Sequence, residues 1–94
     1  MMDNAARIEL IKERLNNTFS VNDIDVIDES HKHAGHAGAR EGKGHFDLFI
    51  ISDDFDGKSL LERHRMIYEA LGDAMQTEIH ALSIKAYTSQ ETQQ

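Results

Sequence analysis

The chain has 94 residues, six histidines, no cysteine and a formal net charge of −7. That length fits one small domain, the missing cysteines exclude disulfides and any thiolate metal site built from this chain alone, and the acidic balance opposes a footprint driven by nucleic-acid phosphates. A hydrophobic content of 39% fits a folded domain rather than a disordered chain, and with no apolar signal core at the start and no run of membrane-spanning length, a cytoplasmic location is expected.

Residues 4–19 read as an amphipathic helix. Ile8, Ile11, Leu15 and Phe19 recur at helical spacing, with Glu9, Lys12, Glu13 and Arg14 on the other face. Asp3 or Asn4 caps its start. The β-branched stretch holding Ile24, Val26 and Ile27 predicts a strand. Residues 29–44 then change character, with Gly35, Gly38, Gly42 and Gly44 and no large apolar side chain. This reads as a long loop, and long loops in small domains often carry function. His45 to Ile51 predicts a second strand with Phe46, Leu48 and Ile50 on one face. Asp47 opens the opposite face and Phe49 and Ile51 continue it, so the far end is expected to be covered on both sides. Strand, glycine loop and strand predict an antiparallel hairpin.

Asp53 to Gly57 is a turn whose acidic spacing does not match a calcium loop. Ser59 caps a second helix, in which Leu60, His64, Ile67, Leu71 and Met75 share a stripe joined by Leu61 and Tyr68. Thr77 and Glu78 end it. Residues 81–87 alternate, with Leu82, Ile84 and Ala86 on one side, and predict a third strand. The chain from Thr88 is polar and expected to fray. The whole reads as one α+β domain over residues 4–88 with a polar tail over 89–94, its three-stranded sheet covered on one face by helices.

Histidine carries the chemistry. His31, His33 and His36 crowd the glycine loop, and His80 stands alone before Ala81-Leu82. Imidazole is the commonest side-chain metal ligand and titrates near neutral pH. From the residues alone the loop is either a solvated histidine-rich segment or a zinc or nickel site, and His80 reads as a strand histidine satisfied by a backbone carbonyl. His64, on the apolar stripe, and His45, opening a strand, read as structural or supporting residues. Lys58, Arg63 and Arg65 form a basic edge for a partner's carboxylates, glutathione or nucleic acid, or else a solvated face with weak ion pairs. With no cysteine nucleophile, no Ser-His-Asp arrangement and no phosphate-binding loop, catalytic turnover is not expected.

Four segments together resemble the BolA family: Asp28-Glu29-Ser30 with the histidine and glycine loop after it, Phe55-Asp56-Gly57-Lys58-Ser59-Leu60, Arg63-His64-Arg65-Met66-Ile67-Tyr68, and Ile79-His80-Ala81-Leu82. They occur in the family's order and span about Arg7 to Thr88. The resemblance implies a class II KH-like topology, α-β-β-α-β. It departs from nucleic-acid-binding KH domains where their Gly-x-x-Gly clamp would stand, because Gly57-Lys58-Ser59-Leu60 ends in leucine. It also implies a heterodimer with a monothiol glutaredoxin around a shared 2Fe–2S cluster. The glutaredoxin then supplies a cysteine, glutathione a second thiolate, and this chain His80 and one loop histidine. His33 best matches the loop ligand by its offset from Asp28-Glu29-Ser30, with His31 and His36 as alternatives. Mixed thiolate and imidazole ligation has a precedent in Rieske centres, and imidazole makes such a site pH-sensitive. The expected role is an adaptor in iron–sulfur cluster assembly, trafficking or iron regulation. A DNA-binding transcriptional regulator of the stress or morphology type, using Lys58, Arg63 and Arg65, is the second expectation. A histidine-only metal-binding module is the third. A homodimer is compatible with the chain when alone.

Overall fold

The computed structural model describes residues 2–29 and 43–93. Helix α1 spans Asn4–Thr18 and starts at Asp3, whose carboxylate accepts the Ala6 N–H at 2.8 Å. Strand β1 (Asp23–Asp28) pairs antiparallel with β2 (Gly44–Ile51), as the hairpin reading expects. A 3-10 turn at Asp53–Phe55 leads to helices α2 (Leu60–Leu71) and α3 (Ala74–Thr77), and the chain returns as β3 (Ile79–Tyr87). β3 lies beside β2 and parallel to it, giving the sheet order β1-β2-β3. A parallel pair needs a crossover, and α2 and α3 supply it. The fold is α+β with helices packed on a mixed three-stranded sheet, as expected.

The core lies between sheet and helices. Ile11, Leu15 and Phe19 come from α1 and its end, Phe46, Leu48 and Ile50 from β2, and Ile67 and Leu71 from α2, all buried. Ser59 caps α2 through a reciprocal pair: its hydroxyl accepts the Glu62 N–H and the Glu62 carboxylate accepts the Ser59 N–H, each at 3.1 Å. Hydrogen bonding to the carboxylate from the Ser59 N–H, and next from the Ser59 side chain, holds the Glu62 carboxyl below its ordinary range.

Several expectations need correction. The second helix does not run on to Thr77. Gly72 takes a φ of 57° and donates its N–H to the Tyr68 carbonyl, ending α2 in a backbone conformation that favours glycine. The buried line of α2 is Arg63, Ile67 and Leu71. Leu60 and Leu61 are instead 67% and 59% exposed, and Tyr68 is exposed too. The expected stripe holds Ile67 and Leu71 correctly but places Leu60 and His64 where the buried line begins with Arg63. Phe55, assigned only to a turn, is fully buried and packs on Phe19 with ring centroids 5.1 Å apart. Phe49 and Ile51 stay partly exposed on the outer sheet face, where Tyr87 of the neighbouring strand packs on Phe49 at 5.7 Å. Residues after Thr88 do not fray at once, because Glu91 is bound by Arg63.

Candidate functional site

The site begins with an irregularity. β2 and β3 pair in step from His45 opposite Ala81 to Ile51 opposite Tyr87, but Gly44 lies opposite Ile79. His80 is the extra residue, without a partner in the ladder, so β3 carries a bulge at that point. Bulges re-aim side chains. Here His80 and Ala81 are exposed in succession, where strict alternation would turn one of them to the core. Gly44 is part of the same arrangement. A Cβ there would run into the Phe46 ring, so only glycine lets that ring fold back over the start of β2.

The ring of His45 meets the ring of His80 across this junction, with centroids 4.7 Å apart and planes tilted by 44°. That distance is ordinary aromatic contact. His45 is only 5% exposed, whereas His80 faces solvent. The His45 carbonyl accepts the Glu29 N–H at 2.8 Å, which extends the β1–β2 ladder one step beyond β1. A cleft of about 280 Å³ opens alongside, with Glu29, His45 and Ala81 among its walls.

Behind the site stands Arg7, a buried residue of α1 that the sequence reading passed over. Its Nε donates to Glu78 Oε1 at 2.9 Å and its Nη1 to Asn4 Oδ1 at 2.8 Å. Asn4 in turn donates to Asp28 Oδ2 at 3.1 Å, and the Glu78 carbonyl accepts the Gly44 N–H at 3.1 Å. One guanidinium thus ties the start of α1, the end of β1 and the residue before β3, and Glu78 passes the connection to β2. The available signal was spacing: Arg7, Ile11 and Leu15 share one helical face and are the buried residues of α1.

The other anticipated residues fall in different places. His31, His33 and His36 lie outside the described residues. Among the described residues no group of three or more His, Asp or Glu is placed to hold a metal. His64 is half-buried on α2. The basic edge is not as expected. Lys58 and Arg65 are exposed, but Arg63 is buried and committed elsewhere. Its Nε donates to the Lys58 carbonyl and its Nη1 to the Ala86 carbonyl, each at 3.0 Å. Its Nη1 and Nη2 also grip the Glu91 carboxylate at 2.7 and 3.0 Å. With four of its five N–H groups so bound, this guanidinium has little left to offer a phosphate.

Fold and site together define a small KH-like α+β domain that presents a single histidine on a bulge at the start of its last strand. A family model described as BolA-like protein matches residues 15–91, and the chain belongs to the BolA family. It is 45% identical over 86 residues to SufE-like protein 1 of Arabidopsis thaliana, covering 86% of this chain and 23% of that protein. It is 40% identical over 83 residues to the DNA-binding transcriptional regulator BolA of Escherichia coli, covering 88% of this chain and 76% of the relative. The solved BolA domain of SufE1 from Arabidopsis thaliana superimposes with a TM-score of 0.81 at 44% identity, over 92% of this chain and 95% of that domain. The chain therefore spans under a quarter of SufE-like protein 1 but nearly all of its BolA domain.

Proposed function

We propose that this chain is a BolA-like adaptor that binds a monothiol glutaredoxin and shares a 2Fe–2S cluster with it through His80. The observation that carries the reading is the bulge, which sets one exposed imidazole apart at the start of β3. A neutral imidazole is a suitable iron ligand beside thiolates supplied from outside, and this cysteine-free chain has no thiolate of its own. His33, or else His31 or His36, serves as the second ligand from the loop. The occurrence of a BolA domain within a SufE-like protein also supports a role beside other proteins rather than alone.

The test mixes the protein with glutathione-loaded holo monothiol glutaredoxin and follows visible circular dichroism. The expected outcome is a new cluster spectrum that needs His80 and is lost in His80→Ala. An unchanged spectrum in that variant would overturn the ligand role of His80. A second reading, DNA-binding regulation, is favoured by the name of the Escherichia coli relative. With Arg63 engaged, it falls to Lys58 and Arg65 on a chain of net charge −7. It predicts duplex-DNA affinity that falls steeply with salt and depends on sequence.

A further inference from the structure

We propose that His45 is a positioning residue for His80: its buried ring is the wall against which the exposed imidazole rests, and it fixes the direction in which that imidazole points. The proposal rests on the reading of His80 as an outward-facing ligand, and it concerns a residue which that reading leaves without a role.

Three observations carry it. First, the bulge removes His80 from the β2–β3 ladder, so strand pairing does not by itself hold its side chain as it holds those on either side. An exposed side chain in that situation samples several rotamers. Second, the only described ring contact of His80 is with His45, at 4.7 Å and 44°. Third, His45 is itself held firmly. It is almost fully buried, its carbonyl accepts the Glu29 N–H, and it stands between Gly44, which has no room for a side chain, and the buried Phe46. One ring is therefore fixed by its surroundings and the other is fixed by the first. A ligand held in one orientation loses less conformational freedom when it engages a metal-bearing partner. Residues that orient a ligand in this way commonly matter nearly as much as the ligand.

Ring shape is the property invoked, and that makes the proposal separable from a ligand role for His45. His45→Phe keeps a flat ring and removes both nitrogens. His45→Leu keeps comparable apolar bulk and removes the ring. The first readout uses the protein alone, with the backbone amide spectrum checking the fold and the His80 ring-proton shifts reporting its neighbour. His45→Phe is expected to keep the His80 ring protons displaced by the adjacent ring, and His45→Leu to return them to the values of a free histidine. The second readout is binding to holo-glutaredoxin. His45→Leu is expected to weaken it by about tenfold, the usual scale when an orienting residue is lost, and His45→Phe to stay close to wild type.

Unchanged His80 ring shifts in a folded His45→Leu protein would overturn the proposal. So would a folded His45→Phe protein that loses the displacement, a result that stands even if the leucine variant fails to fold. Equal loss of binding in both variants would show that a His45 nitrogen is what matters. If His80→Ala leaves the cluster spectrum unchanged while His45→Leu still frees the His80 ring, the ligand role of His80 fails and the ring contact stands.

Discussion

The two ends of β3 are each anchored by a buried arginine from a helix, and the arginines occupy equivalent places. Arg7, Ile11 and Leu15 form the buried line of α1, and Arg63, Ile67 and Leu71 form that of α2. Both are Arg, Ile and Leu four residues apart. Their partners differ. Arg63 makes a closed fork with Glu91 and caps the carbonyls of Lys58 and Ala86, so its bonds hold the C-terminal segment against α2 and the end of β3. Arg7 reaches Glu78 through one Nε bond and, through Asn4, reaches Asp28. Those partners flank the strand ends that hold His45 and His80. The same residue at the same helical position is thus a staple at one end and a frame for the candidate site at the other. What a buried cation does is decided by where its acceptors lie in the chain.

Replacing each arginine with methionine separates the two roles. Methionine keeps an apolar stem and leaves the acceptors unpaired, and a buried unsatisfied group costs roughly 1–3 kcal/mol. Arg63→Met, which takes the donor from two carbonyls, is expected to lower unfolding free energy by about 3 kcal/mol, with the solvent-screened Glu91 carboxylate adding little. Arg7→Met is expected to cost about 2 kcal/mol. Urea denaturation measures both. The His80 ring shifts carry the contrast: Arg7→Met moves them and Arg63→Met does not. Equal displacement in the two variants would end the division of labour between the ends of β3.

Gly44→Ala tests the framed end more narrowly. The added methyl meets the Phe46 ring, and overpacking of this kind typically costs about 1–3 kcal/mol. Thermal denaturation should show the loss, and the His80 ring shifts should change with it because the bulge lies between Gly44 and His45. A variant as stable as the parent would mean that the start of β2 adapts freely and does not set the bulge.

The contrast also explains what could be read from the sequence. Alternation in Phe46, Leu48 and Ile50 gave the strand and its buried face correctly, because the pattern depends only on which residues avoid water. The α1 periodicity and the Ser59 cap were legible for the same local reason. The stripe of α2 was right at Ile67 and Leu71 but lacked Arg63, and Arg7 was overlooked, because a search for apolar periodicity discards arginine, although four-residue spacing to Ile and Leu marks both positions. Arg63 seemed available as surface charge because its partner, Glu91, lies 28 positions away. The resemblance singled out His80 as a candidate, whereas nothing in the sequence pointed to its ring contact with His45. That contact depends on a one-residue slip between parallel strands, and no local pattern encodes such a slip.

The smallest expected effect sharpens the stapled end. Hydrogen bonding from Arg63, then from the Thr88 N–H, lowers the Glu91 carboxyl from its ordinary value of 4.5 to about 2. Between those values the unfolded chain binds the proton and the folded chain does not, so stability from this group rises with pH. Its contribution is fully present above 4.5 and is lost as pH falls towards 2. Glu91 is 43% exposed, so solvent screens the pair and the effect is modest. The other carboxylates of this acidic chain titrate in the same range, so the informative quantity is the stability of the parent minus that of Glu91→Gln. That difference should hold steady from neutral pH to about 5 and then shrink as Glu91 takes up its proton. A difference that stays constant down to pH 2 would mean that the fork contributes no charge-dependent stability, leaving Arg63 to act through the carbonyls of Lys58 and Ala86 alone.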